Sequence, residues 1–95
     1  MSKHRAEAEW TACAQEMGTK IQALRAQKGL SQENVAFVAG ISRYTFQKLE
    51  KGESAPGIPA NPSIRNLIAV AQVLGTTIDQ LVPAQVPDLR RGVSR

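Results

Sequence analysis

The stretch Leu30 to Glu53, LSQENVAFVAGISRYTFQKLEKGE, decides how the rest of the chain is read. Ser31 stands where an N-cap belongs, its hydroxyl able to accept from an early backbone N–H of a helix spanning Gln32 to Ala39. Val35, Ala36 and Val38 are the apolar positions of that helix, and Gly40 closes it. After Ile41, Ser42 repeats the N-cap signal and opens a second helix, Arg43 to Lys51, ended by Gly52. Two short helices joined by Gly-Ile-Ser can cross steeply only if the contact between them is small. Ala36 supplies that contact, and Gly40 can take the positive φ that turns the chain sharply. Val35, Ile41, Phe46 and Leu49 fill the wedge between the two axes. With Phe46 and Leu49 pointing inward, helical spacing sends Arg43, Tyr44, Gln47 and Lys48 outward.

Upstream, Trp10, Ala14, Met17, Ile21 and Leu24 recur at steps of three or four and predict a helix from about Arg5 to Lys28, ended by Gly29. Gly18 interrupts this stripe and is expected to mark a kink or the start of the domain helix proper. Downstream, Glu53 to Asn61 reads ESAPGIPAN, and its prolines, glycine and lack of periodicity predict a surface loop. Asn61-Pro62 restarts helix, with Asn61 as N-cap and Pro62 at the first helical position. Ile64, Leu67, Ile68, Ala71 and Leu74 then form an inward stripe up to Gly75. Thr77 caps a short last helix, Ile78 to Val82, which Pro83 stops, and the segment from Pro83 reads as a flexible tail. The expected organisation is an N-terminal helical extension at 1–16, a central domain at 17–82 and a tail at 83–95.

Ninety-five residues make one domain. A hydrophobic share of 42% argues against disorder throughout, and only 4% aromatic residues, with no clean alternation of β-branched and polar positions, argue for an all-α fold. The formal charge of +4 favours an anionic partner, weakly by itself, because many proteins without a nucleic-acid role are as basic. Its distribution is more telling. Glu7, Glu9 and Glu16 fall in the N-terminal segment, Arg43, Lys48 and Lys51 crowd one short stretch, and Arg90, Arg91 and Arg95 end the chain. Cys13 is a single cysteine without an internal disulfide partner, which points to a reducing cytoplasm, and it reads as a small buried hydrophobe. The charged N-terminus lacks the apolar segment of a secretory signal, and no run approaches the roughly 18–20 apolar residues that cross a bilayer. No metal is expected, since His4 has no cysteine or acid at ligand spacing. Neither is an enzyme: the chain has no catalytic Ser-His or Cys-His arrangement and no nucleotide or cofactor fingerprint, so no catalytic residue and no cofactor are assigned.

The stretch quoted above resembles the helix-turn-helix of the Cro/C1-type (XRE) family of phage repressors and bacterial regulators. The resemblance runs from about Met17 to Val82 and takes in Pro62-Ser63-Ile64 with Leu67, and Leu74-Gly75 with Leu81. It departs at the Glu53–Asn61 loop, longer than in compact phage repressors, and leaves the segments before Met17 and after Val82 without a counterpart. It implies a five-helix, lambda-repressor-like bundle with an extended N-terminal helix. It also implies a transcriptional regulator, expected to be a repressor, that lays its third helix in the major groove of a double-stranded DNA operator. The residue types fit that role: Arg43 can fork onto guanine O6 and N7, and Gln47 onto adenine N6 and N7. Base contacts are expected from Arg43, Tyr44, Gln47 and Lys48, and backbone contacts from Gln32, Ser42, Thr45 and Lys51. In the resembling family a glutamine at the Gln32 position binds phosphate and braces the recognition helix. Arg25 and Glu50 match an arginine–glutamate pair that joins the first helix to the end of the third.

A homodimer would present two such helices to half-sites about 34 Å apart. Its surface is expected at Val70, Val73, Ile78, Leu81 and Val82, because the fourth helix has more apolar residues than one stripe requires. Trp10 either caps the core beside Met17 and Ile21 or joins the dimer contact. The alternative function is an interaction module, such as an antitoxin component that holds a partner protein, for which the polar face of the third helix would be superfluous.

Overall fold

The computed structural model describes residues 3–90, with side chains from residue 6 onward. Among these, five helices and one hairpin follow in chain order: α1 (Lys3–Gln27), α2 (Gln32–Ala39), α3 (Arg43–Lys51), β1 (Glu53–Ala55), β2 (Ile58–Pro59), α4 (Ile64–Val73) and α5 (Ile78–Leu81). The side chain of His4, and all of Arg91 and Arg95, lie outside the described residues.

The local signals around the quoted stretch act as chemistry requires. Ser31 and Ser42 sit in extended backbone, and each Oγ accepts from the N–H three residues on, Asn34 and Thr45, both at 3.0 Å. Gly40 has φ 76°, and the Ile41 N–H reaches back to Ala36 O at 3.0 Å, so the chain leaves α2 and enters α3 within three residues. Val35, Ala36, Phe46 and Leu49 then meet Met17 and Ile21 of α1, Leu67, Val70, Ala71 and Leu74 around α4, and Leu81 in one buried cluster. Fully burying a side chain such as Phe46 or Ile21 contributes about 1.5–3 kcal/mol, so this cluster fixes the angle at which α3 is held.

α1 runs without a break through Gly18, and the expected boundary after Glu16 falls inside it. Gly18 does not interrupt the helix. An ideal Cβ there would lie 2.5 Å from Glu50 O and 2.7 Å from Leu49 O, because the backbone of α3's last turn rests on this point of α1. Gly52 is the reciprocal contact. Its Cβ would lie 2.9 Å from Gln15 Cα, and its φ of 78° suits glycine as well. Cys13, Ala14, Met17 and Ile21 are buried, while Trp10 and Leu24 are half-buried.

Several expectations are corrected. The Glu53–Asn61 segment is not an irregular loop: β1 and β2 pair antiparallel, Glu53 with Pro59 and Ala55 with Ile58, and this small hairpin is added to the five-helix, essentially all-α fold. Helix α4 starts later than Asn61-Pro62, because Ser63 is its N-cap and accepts from the Asn66 N–H at 3.1 Å. Its buried stripe is Leu67, Val70, Ala71 and Leu74, leaving Ile64 64% and Ile68 39% exposed. Consequently Val70 and Leu81, expected at a dimer surface, are fully buried core residues, and Val73, Ile78 and Val82 are half-buried against that core. Of the three apolar positions of α2, Val35 and Ala36 are buried and Val38 is exposed. The last helix stops one residue short of Val82, and the Thr77 carbonyl, rather than its hydroxyl, closes the first turn by accepting from Gln80 and Leu81. Of the segment after Val82, Pro83 is buried, and Asp88 pairs with Arg90 at 2.9 Å.

Candidate nucleic-acid interface

The geometry that carries α3 leaves one of its faces outward. Phe46 and Leu49 anchor the inner side, and Arg43, Tyr44 and Lys51 are exposed while Thr45, Gln47 and Lys48 are half-buried. Tyr44 and Lys48 do not act separately: the Lys48 ammonium lies 4.6 Å from the centre of the Tyr44 ring, a cation–π arrangement that holds both side chains across the helix face. Lys51 stands 3.8 Å from the Glu53 carboxylate, so part of its charge is answered within the protein.

Behind this face lies a chain of polar contacts that ties three helices together. The Arg25 guanidinium of α1 forms a two-pronged pair with Glu50 at the end of α3, and its Nη1 also donates to Leu30 O at 2.9 Å. Glu50 Oε1 accepts in addition from Gln32 Nε2 at 2.8 Å. Gln32 Oε1 in turn accepts from Gln47 Nε2 at 3.3 Å. The Glu50 side chain is only 5% exposed, so its charge is desolvated and must be met by these donors. The result is a relay Arg25–Glu50–Gln32–Gln47 that ties the Gln47 amide on α3 back to α2 and α1. Gln32 of α2 and Gln47 of α3, residues from separate elements, are in contact.

Gln32 opens α2, whose first amides are free at its N-terminus, the arrangement that attracts phosphate. An open recess of about 420 Å³ lies there, lined by Arg25, Ser31, Gln32, Glu33 and Arg43. Ser42 is engaged twice by Thr45, accepting from its N–H and donating to its Oγ1 at 2.9 Å, which ties these two side chains to each other at the start of α3. Val70, Leu81 and the tail arginine Arg90 are remote from this face in role: two are core, and the third is paired with Asp88, whose carboxyl the Arg90 hydrogen bonds hold down at about 2. Sequence reasoning gave Gln32 a bracing role toward the recognition helix without naming Gln47 as the residue it holds, and it missed the Tyr44–Lys48 contact and the hairpin beside α3. Only the last had a local signal, the Pro56-Gly57 pair. Among the described residues no three histidine, cysteine or acidic side chains gather to hold a metal, and no helix is long and apolar enough to cross a membrane.

The helix-turn-helix family model HTH_3 matches residues 21–81, a span that starts inside α1 and ends with α5. The chain belongs to this helix-turn-helix family. Two relatives carry the same description. An uncharacterized HTH-type transcriptional regulator of Archaeoglobus fulgidus is 37% identical over 65 residues, 68% of this chain and 84% of its own. The HTH-type regulator y4dJ of Sinorhizobium fredii is 35% identical over 66 residues, 70% of this chain and 78% of its own. Among solved structures, the restriction-modification controller protein C.AhdI from Aeromonas hydrophila superposes with a TM-score of 0.64 at 31% identity, covering 74% of this chain and 97% of that one. This helix-turn-helix protein therefore shares its fold with a controller protein over nearly all of the latter's length. The helix-turn-helix match also leaves the first five turns of α1 outside it.

Proposed function

We propose that this chain is a sequence-specific, double-stranded DNA-binding regulator of transcription, acting as a repressor in the cytoplasm, with α3 in the major groove of an operator. Arg43, Tyr44, Gln47 and Lys48 read base edges, while Gln32, Ser42, Thr45 and Lys51 hold the sugar-phosphate backbone. The observation that carries this reading is the relay from Arg25 through Glu50 and Gln32 to Gln47. A surface glutamine needs no such support unless its direction matters, and a bidentate contact to adenine demands a fixed amide plane. The recess at the start of α2 supports phosphate binding beside it. The role is binding, with no catalytic residue and no cofactor assigned.

A single module of this size buries little DNA, so the working form is a homodimer on a roughly palindromic site. With Val70 and Leu81 in the core, the outward apolar face of α4, Ile64 and Ile68 four residues apart, is the better candidate surface for the second copy. Selection of binding sites from random duplexes tests the whole reading. Dyad-symmetric sites with half-sites about 34 Å apart are the expected outcome. Failure to enrich any sequence would overturn it.

One observation favours a second reading, a module that holds a partner protein. Phe37 is 83% exposed and its neighbour Val38 67% exposed at the end of α2, an unusual position for adjacent large apolar side chains. Phe37→Asp tests this second reading: binding of a partner protein should be lost while duplex binding is unchanged, and partner binding that survives the change would remove Phe37 from such a surface.

A further inference from the structure

The polar contacts behind α3 have a direction as well as a position, and the direction starts at Glu50. Its buried side chain is paired with Arg25. An ionised carboxylate offers acceptors only, so any group that faces it must donate. Gln32 does so through Nε2, 2.8 Å from Glu50 Oε1. That contact settles the other end of the same amide. With Nε2 turned to Glu50, the carbonyl oxygen of Gln32 is the atom that meets Gln47, and it can only accept. Gln47 therefore presents its own Nε2 there, at 3.3 Å. While residue 50 is a carboxylate, no step of this chain can run the other way.

The direction decides what Gln47 has left to offer a base. One Nε2 hydrogen is committed to Gln32, so Oε1 and the second hydrogen remain, an acceptor beside a donor. Adenine shows the complement in the major groove, a donor at N6 and an acceptor at N7. Guanine shows two acceptors, O6 and N7, and would set O6 against Gln47 Oε1. An amide held the opposite way, with Oε1 on Gln32, would free both Nε2 hydrogens, and those suit guanine. Gln32 keeps a donor too: its second Nε2 hydrogen is left for the phosphate proposed at the start of α2.

We propose that Glu50 is a positioning residue that selects adenine over guanine at one base pair by fixing the direction of the Gln32 and Gln47 amides. This rests on α3 lying in the major groove with Gln47 at a base edge. Glu50→Gln keeps the size and shape of the side chain but replaces one acceptor by a donor. Arg25 donates from Nε to Glu50 Oε2 and, over a longer 3.2 Å, from Nη2 to Oε1. The carbonyl of the new glutamine should therefore take the Oε2 place, turning its NH2 group to Gln32, and both amides beyond it must turn over. The experiment measures the affinity of the full-length parent, Glu50→Gln and Gln47→Ala for an enriched duplex and for duplexes with A·T and G·C exchanged at each half-site pair. Gln47→Ala locates the pair, as the one whose preference it flattens, and the parent should favour adenine there by about 5- to 150-fold. Glu50→Gln should favour guanine at that pair and keep the parent's preferences at the others. The ratio of two duplex affinities for one protein preparation does not depend on the folded fraction, so lost stability cannot produce this reversal. An adenine preference that Glu50→Gln retains, or merely flattens, overturns the role of Glu50 and leaves Gln47 as a base reader. A parent that favours guanine at that pair overturns the direction of the amides. If Gln47→Ala changes no preference, the reading of Gln47 falls, and the role of Glu50 with it.

Discussion

Gly18→Ala pits local preference against tertiary packing, and the two predict opposite signs. Inside a helix, alanine is favoured over glycine by about 1 kcal/mol, so on α1 alone the substitution should stabilise. The structure says otherwise. The added Cβ would stand 2.5 Å and 2.7 Å from two backbone carbonyl oxygens, Glu50 and Leu49, neither of which can rotate away. Restoring an ordinary 3.4 Å contact requires α1 and the end of α3 to separate by about 0.9 Å at their crossing. Overpacking of this kind costs about 1–3 kcal/mol, and because both clashing atoms are backbone the upper part of that range applies. After the helix-propensity gain, the net loss is about 1–2 kcal/mol, which for a domain of this size lowers Tm by about 5–15 °C. Thermal and denaturant unfolding of the variant measure it directly. Because the displaced atoms belong to the turn that carries Glu50, Gln47 should lose its support and DNA selectivity should fall further than stability alone requires. A variant as stable as the parent, or about 1 kcal/mol more stable, would refute the close crossing and with it the account of how α3 is held.

Three further outcomes are expected. Glu50→Gln leaves the Arg25 guanidinium without its carboxylate; since Arg25 keeps its bond to Leu30 O and reaches solvent, the loss should be about 2 kcal/mol, below the usual cost of breaking a fully buried pair, and a loss of unfolding free energy smaller than about 0.5 kcal/mol in denaturant titration would mark the contact as an ordinary surface pair. Ile64→Glu combined with Ile68→Glu should lower the dimer fraction in sedimentation equilibrium with little change in monomer stability, whereas an unchanged association constant removes this face of α4 from the dimer. The Cys13 thiol, pushed up by burial and by the neighbouring Glu16 carboxylate, should resist iodoacetamide in the native protein at neutral pH and react once the chain is unfolded in denaturant; equal rates in both states would contradict its burial.

What the amino-acid sequence made legible was local. Ser31, Gly40 and Ser42 each act within three residues of themselves, so the two caps and the turn of the helix-turn-helix could be read without knowing anything distant. The stripe of α4 could not, because Ile64, Leu67, Ile68, Val70, Ala71 and Leu74 satisfy two overlapping helical faces, and only contact with α2 and α5 chooses between them. That single ambiguity moved Val70 from surface to core. The start of α4 slipped by two residues for a related reason: Asn61 and Ser63 are both good N-caps, and Ser63 is the one whose hydroxyl meets a free N–H. Two prolines in ESAPGIPAN argued against strands, yet β2 is only two residues long and ends on Pro59, where a missing N–H costs little at a sheet edge. Gly18 looked like an interruption because its partner, the end of α3, lies thirty residues on in the chain. The Arg25–Glu50 pair was within reach only through the family resemblance, and the link from Gln32 to Gln47 required both helices to be set in place.

The central claim is that α3 reads bases, and Arg43→Ala tests it most directly. Affinities of the parent and the variant would be measured against an enriched duplex and every single-base change in its half-site. The account predicts that the variant loses discrimination at one guanine position, by about 1–3 kcal/mol or roughly 5- to 150-fold, while preferences elsewhere in the half-site persist. An even loss across all duplexes, with the pattern of base preference intact, would make Arg43 a phosphate contact and contradict the assigned reading face.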